Sequence, residues 1–133
     1  MSNATLEANK ALVLAHYEAV TNRYDPDAVR TQLTPDFFDH SMGKMMNADE
    51  VIARMTPLKE AFANLSVVAE CLVAERDMVA GRFIWRGTHR SPWRGIPRTG
   101  KHVEFRGMTF WRIRDGRFAN AGRRSILRGW SGI

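Results

Sequence analysis

Asp39 and His40 are adjacent side chains of the kind that perform acid–base chemistry. An imidazole titrates near neutral pH, and a carboxylate can orient the ring, so His40 is a candidate catalytic base. Adjacent residues on a strand point to opposite sides, however, so a direct bond between Asp39 and His40 is not expected. The alternative for His40 is structural, as a histidine bonded to backbone at the end of a strand.

Cationic and aromatic side chains form a second set of candidates, suited to binding. Arg82 lies in the middle of a predicted strand, and a buried guanidinium there must pair with a carboxylate such as Asp36 or Asp39, or with a ligand anion. Trp85 offers a flat surface to an aromatic ligand, and core packing explains its position equally well. The predicted ligand-binding residues are Arg82, Trp85, Arg106, Asn120 and Arg124.

Asn120 and Arg124 share one face of the last predicted strand, because alternate residues on a strand point to the same side. If that face lines a cavity, an amide and a guanidinium would bind an anion or stabilise an enolate oxygen. Neither group would abstract a proton, so proton transfer falls to His40.

The sequence gives no support for a metal or cofactor site. His16, His89 and His102 are not spaced as metal ligands. The glycines near the C-terminal half do not precede a helix, which argues against a phosphate-binding loop. We therefore expect neither a metal nor a cofactor.

The single cysteine and the hydropathy pattern bear on cellular location. One cysteine, Cys71, forms no internal disulfide and favours a reducing compartment. No segment approaches the roughly 18 uninterrupted apolar residues of a membrane span, and the N-terminus lacks the apolar core of a signal peptide. The sequence predicts a cytoplasmic protein that does not associate with a membrane.

Charge is distributed unevenly along the chain. Residues 1–81 hold 7 Lys/Arg and 12 Asp/Glu, whereas residues 82–133 hold 13 and 2. The basic half would attract an anionic ligand and could bind nucleic acid. Arginines at alternate strand positions also keep a sheet soluble. We favour this explanation over nucleic-acid binding, which would require an exposed arginine stripe and a steep salt dependence.

The N-terminal half is predicted to be helical. A chain of 133 residues with 44% hydrophobic content can form one domain, placed at residues 5–133. An amphipathic helix is predicted over Thr5–Thr21. A short second helix begins at Asp25 as N-cap, with Pro26 at its first position, and ends at Pro35. A third helix, capped by Asn47, reaches about Asn64.

Strands dominate after Leu65. A brief strand or turn, DFFDHSMG, carries His40, and four longer strands follow: LSVVAECLVAE, MVAGRFIWRGTH, HVEFRGMTFWRIR and RFANAGRRSILRGW. The dipeptides RD and DG between them are turn signals. Helices followed by an antiparallel meander predict an α+β fold with helices on one sheet face. Apolar residues on both faces of the second strand indicate that the sheet encloses a cavity or contacts a partner subunit.

Several motifs together resemble the SnoaL-like polyketide cyclases of the NTF2-like superfamily. The resemblance runs from about Lys10 to Ile113 and is carried by NKALVLAHYEAV, FFDHSM, AFANLSVVAECLVAERDMVAGRF and GTHRSPWRGIPRTGKHVEFRGMTFWRIRDGRF. It implies a cone-shaped α+β barrel, with three N-terminal helices on a strongly curved, mainly antiparallel sheet, and a homodimer. It also implies cofactor-free ring closure by aldol chemistry on a polyketide ester.

The sequence departs from this family after the DG turn. The resemblance places a family Glu at Asn120, a Trp at Gly122, and the acid–base Asp at or beside Ile126. No Asp or Glu occurs after Asp115, so the family mechanism does not transfer to this chain. Two functions remain. One is acid–base chemistry of aldol or isomerase type on a small hydrophobic carbonyl compound, with His40 as base. The alternative is non-catalytic binding of a small hydrophobic anion.

Overall fold

A computed structural model of the chain describes residues 2–126, with side chains up to Arg123. Helix α1 spans Asn3–Tyr17 and continues into a π-helical turn at Glu18–Asn22. A 3-10 helix covers Pro26–Thr31, and helix α2 spans Ala48–Ala61. The predicted helical N-terminal half is therefore confirmed, with the middle helix in the tighter 3-10 form.

The two predicted helix caps differ in outcome. Asn47 caps α2 as expected: its side chain accepts from the Glu50 amide at 2.9 Å, and the Glu50 carboxylate accepts from the Asn47 amide at 3.2 Å. Asp25 occupies the predicted N-cap position before Pro26, but its side chain forms no capping hydrogen bond. A 3-10 helix of one or two turns is held by its tertiary contacts, and Val29 within it is fully buried.

Within residues 2–126, six strands form one mainly antiparallel sheet in the order β2-β1-β6-β5-β4-β3, in which only the β1–β6 pair is parallel. The strands are β1 Leu33–Asp39, β2 Lys44–Met45, β3 Phe62–Glu75, β4 Met78–His89, β5 His102–Arg114 and β6 Arg117–Ile126. Register shifts interrupt the β3–β4 and β5–β6 pairs. Such bulges bend and twist strands, which curves the sheet around the helices.

The predicted turns agree with the structure, whereas β3 begins at Phe62, three residues before the predicted Leu65. The predicted end of the last strand, Trp130, lies outside the described residues. β4 and β5 have the predicted ends. The turns between β3 and β4 and between β5 and β6 use left-handed residues, Arg76 at φ 55° and Asp115 and Gly116 at φ 53° and 74°. The four long strands β3, β4, β5 and β6 pair in sequence order as the predicted antiparallel meander, and tight turns close two of its three connections.

Burial along β5 alternates strictly and separates two faces of the sheet. The inner face, which includes Thr109 and Trp111, packs against the helices. The outer face includes Met108 and Phe110, with 51% and 56% of their surface exposed. The α+β class is thus confirmed, with helices on one sheet face. No helix within residues 2–126 is long and apolar enough to cross a membrane.

Candidate functional site

Residues of the sheet and of α2 line a cleft, and a small inner chamber lies next to it. The cleft has a volume of about 730 Å³, and the chamber about 120 Å³. Met55, Leu58, Phe105 and Arg123 line both spaces, so the cleft and the chamber lie side by side.

Aromatic rings line the chamber. Trp85 stacks on Phe105 with ring centroids 5.6 Å apart, and Tyr17 packs its edge against Trp85. The Tyr17 hydroxyl donates to Oγ1 of Thr109 at 3.3 Å, and burial raises the pKa of the phenol. The predicted position of Trp85 facing a pocket agrees with this geometry. Flat rings with few polar atoms favour an aromatic or otherwise apolar ligand.

His16 is buried at the inner end of the chamber. Its Nδ1 donates to Oε1 of Gln32 at 2.7 Å, and its ring edge meets Trp111 and Phe118. The pKa of His16 is lowered to about 4, chiefly by burial; the hydrogen bond to Gln32 opposes this shift, and the nearby Arg123 charge adds to it. The imidazole is therefore neutral at physiological pH.

Three guanidinium groups from different elements line the cleft. Arg54 comes from α2, Arg94 from the loop between β4 and β5, and Arg123 from β6. Nη1 of Arg54 donates to Oδ2 of Asp39 at 2.7 Å. Burial lowers the pKa of Arg54, and the like charges of Arg123 and Arg94 lower it further, while Asp39 opposes them.

His40 lies at the cleft wall, as an exposed side chain just beyond β1. Its backbone amide donates to the Ala121 carbonyl at 2.8 Å, and its ring lies 5.0 Å from that of Phe38. Gly122 provides room for it, because a Cβ there would lie 3.2 Å from that of His40. A ligand in the cleft could reach the imidazole.

Asp39 points away from His40, as strand alternation predicts. Its carboxylate is buried, with Oδ2 bonded to Arg54 and Oδ1 accepting the amides of Ser41 and Met42 at 2.7 and 3.1 Å. These bonds fix the turn that carries His40. Asp39 therefore positions the site and does not contact the imidazole.

The predicted position of Arg82 is wrong, and Arg106 lies beside it. Both lie on the outer face and are about half exposed. Arg82 pairs with Glu70 at 3.4 Å, not with Asp36 or Asp39, and Arg106 pairs with Glu70 at 3.2 Å. The strand alternation that turns Trp85 inward turns both arginines outward.

Asn120 also lies apart from the inner chamber. In the strand register it stands opposite Arg112, whose side chain is on the outer face. Together with His40, it borders an outer groove of about 590 Å³. Arg124 pairs through its backbone with Met108, and its side chain lies outside the described part of the chain. Of the predicted residues with described side chains, only His40 and Trp85 line the cleft or its chamber.

The sequence prediction missed Arg123, whose register partner is the inner-face Thr109. A register shift in β6, opposite Arg112 and Ile113, displaces the alternation counted from the turn. A shift of one residue exchanges the two faces of a strand. Arg54 was missed because a helix pattern does not reveal which of its side chains converge in space with those of other elements.

The family comparison accounts for this architecture. A model of the SnoaL-like polyketide cyclases matches residues 11–122. The chain belongs to the SnoaL-like polyketide cyclase family. The match ends at Gly122, before the position at or beside Ile126 where the resemblance places the family's acid–base Asp. The match to the family therefore covers the elements that form the pocket, but it does not establish which reaction, if any, the chain catalyses.

Solved structures of this family have the same fold. AclR of Streptomyces galilaeus, for which a hydroxylase activity is suggested, is 25% identical with a TM-score of 0.83, covering 92% of this chain and 81% of its own. IdmH of Streptomyces antibioticus, for which a polyketide cyclase activity is suggested, is 23% identical with a TM-score of 0.81, covering 94% and 99%. A SnoaL-like polyketide cyclase of Agrobacterium tumefaciens is 17% identical with a TM-score of 0.77, covering 89% and 91%. No curated protein matches the chain. The predicted NTF2-like fold is confirmed.

Proposed function

We propose that this family member binds a small hydrophobic carbonyl compound in the cleft and acts on it by cofactor-free acid–base chemistry of aldol or isomerase type. The observation that carries the proposal is the position of an aromatic chamber beside a mouth that is lined by one imidazole and three guanidiniums. The chamber would hold the apolar body of the substrate. The mouth would hold the reacting carbonyl.

His40 is the base in this proposal. A carbon between two carbonyls is already acidic, so one positioned base and one donor to the enolate oxygen are sufficient. The imidazole would take the proton from carbon, and the electron pair would move onto the carbonyl oxygen. Arg123 or Arg94 would stabilise the resulting negative charge, because a guanidinium remains protonated at any physiological pH.

Proton exchange into deuterated water tests this proposal. For an aromatic β-keto ester followed by NMR, we expect the native protein to accelerate α-proton exchange by about a hundredfold or more over buffer. His40→Ala should lose most of this acceleration. The matched control, His102→Ala, changes an exposed histidine at the start of β5 and should exchange at the native rate. An equal rate in the native protein and His40→Ala would contradict the assignment.

The alternative function is non-catalytic binding of a small hydrophobic anion in the same cleft. The absence of any Asp or Glu after Asp115 favours it, since the family's acid–base residue has no counterpart. Broadening of the ester resonances on binding, without accelerated exchange, would support this alternative over catalysis.

We also propose that the outer face of the sheet joins two copies of the chain. Met108 and Phe110 are exposed on that face, and three adjacent strands present it without a covering helix. Phe110→Glu should shift the molecular mass in light scattering from dimer to monomer. Leu14→Glu, at an exposed apolar position of α1, is the control and should leave the mass unchanged. A monomeric native protein would contradict the proposal.

The proposed location is a reducing compartment such as the cytoplasm. Cys71 is exposed and unpaired, and an exposed thiol remains reduced most readily there.

A further inference from the structure

We infer that the mouth of the cleft is an anion subsite, in which Arg54, Arg94 and Arg123 bind a carboxylate or phosphate group carried by the hydrophobic ligand. This inference rests on the proposed binding of a hydrophobic compound in the chamber and names a second chemical requirement for it. The subsite differs from the predicted anion-binding residues, of which Arg82 and Arg106 are neutralised on the outer face.

The arginines of the cleft and of the outer face differ in their partners. The arginines on the outer face of β4 and β5 pair with carboxylates: Arg82, Arg86, Arg106, Arg112 and Arg114. Within residues 2–126, neither Arg94 nor Arg123 forms an ion pair, and no Asp or Glu lines the cleft with them. An external anion is therefore the partner that these two guanidiniums lack.

The charges at the mouth do not cancel. Arg54, Arg94 and Arg123 carry three positive charges, and the buried Asp39 carboxylate paired with Arg54 offsets one of them, which leaves a formal charge of +2. Like charges held together repel: burial is the main cause of the lowered pKa of Arg54, and the charges of Arg123 and Arg94 lower this pKa further. A cleft lined by one sign of charge concentrates ions of the opposite sign. A bound anion would relieve the repulsion.

The backbone holds Arg94 in place. Trp93 and Ile96 exchange both backbone hydrogen bonds, at 2.9 and 2.8 Å, around Arg94 and Gly95. Both central residues have positive φ, 49° and 79°, as in a type I′ turn. Asn, Asp or Gly is preferred at the first of these positions, so an arginine is disfavoured there by the turn. The function of its side chain offers a reason for its presence.

The loop around this turn is fixed to α2. The Arg90 guanidinium donates to the carbonyls of Lys59 and Glu60, both at 3.0 Å. Trp93 packs against Phe62, and the Arg94 guanidinium lies 5.0 Å from the Trp93 ring. These contacts hold the turn that carries Arg94 in place. Binding an anion therefore costs less conformational entropy than it would in a flexible loop.

The geometry also limits the ligand. A guanidinium binds carboxylate or phosphate through two parallel N–H donors. Arg123 lines both the mouth and the chamber, so an anion bound to it lies beside the aromatic rings. The ligand class is therefore an apolar, preferably aromatic, molecule with one anionic group at its end.

A matched pair of fluorescent probes tests the subsite. Anilinonaphthalene sulfonate and phenylnaphthylamine share a ring system, and only the first carries an anion. At equal ionic strength, the native protein should bind the sulfonate about tenfold more tightly than the neutral probe. Arg94→Gln and Arg123→Gln should each remove most of this preference. Arg98→Gln, an exposed residue of the same loop outside the cleft lining, should keep it.

Displacement identifies the group. Release of the sulfonate probe by benzoate or by phenyl phosphate supports the subsite and indicates a carboxylate or a phosphate, respectively. Equal affinity of the native protein for both probes would overturn the inference, as would a loss of preference in Arg98→Gln equal to that in Arg94→Gln. Failure to bind the neutral probe would instead count against the proposed hydrophobic pocket. If the protein does not accelerate deuterium exchange but still binds the sulfonate probe more tightly than the neutral probe, only the proposed catalysis is refuted.

Discussion

Replacing Asp39 with alanine is expected to lower the free energy of unfolding by about 3 kcal/mol. The carboxylate is 3% exposed and accepts from Arg54 and from the amides of Ser41 and Met42. Its removal leaves a partly buried guanidinium and two turn amides without their acceptor. The effect belongs at the lower end for buried pairs, since Arg54 is 33% exposed and can be hydrated. Urea unfolding monitored by circular dichroism measures it.

Asp36 provides the matched control on the same strand. It pairs with Arg114 at the surface, and both side chains are more than half exposed. Asp36→Ala should therefore lower the free energy of unfolding by less than about 1 kcal/mol. The double variant Asp39→Ala, Arg54→Met should be less destabilised than the sum of the single variants, because neither partner is left alone. Equal losses in Asp36→Ala and Asp39→Ala would refute the special role of the buried pair.

Acidification is expected to destabilise the protein through His16 by about 3 kcal/mol between neutral pH and pH 4. The pKa of His16 falls from an ordinary 6.5 to about 4 in the folded chain, chiefly through burial. The unfolded chain takes up a proton below pH 6.5 that the folded chain accepts only near pH 4. The contribution of His16 to stability is therefore complete above pH 6.5 and is lost as the pH falls through this interval.

The difference between the native protein and His16→Gln isolates this contribution, since other groups titrate in both. Glutamine cannot titrate and can still bond to Gln32. We expect the unfolding free energy of the native protein to fall more steeply with decreasing pH than that of His16→Gln. As a control, His102→Gln removes an exposed imidazole, and its unfolding free energy should depend on pH as that of the native protein does. Parallel curves for the native protein and His16→Gln would show that His16 does not remain neutral on acidification.

Asp39 also connects stability with the proposed function. It fixes the turn that carries His40 and holds Arg54 at the mouth of the cleft. A variant at this position should therefore weaken binding of the anionic probe as well as folding. For this reason, Arg94 and Arg123, which form no ion pair within residues 2–126, are the better positions for testing recognition.

Local patterns in the sequence determined the architecture of this protein. Period-two alternation and the turn dipeptides set the limits of β4 and β5, and the Asn47 capping box set the start of α2. These features depend on residues a few positions apart. The order of elements and the family motifs then predicted the α+β class and a pocket, and alternation placed Trp85 on a side that the structure shows to face the chamber.

The residues that form the site were decided by tertiary contacts between distant segments, which no local sequence pattern predicts. The register shift opposite Arg112 and Ile113 placed Arg123 rather than its neighbour in line with Thr109. Curvature of the sheet brought α2, the β4–β5 loop and β6 to one mouth, so that Arg54, Arg94 and Arg123 converge from distant parts of the chain. Alternation fixes that a strand has two faces, but only packing against the helices decides which face is buried.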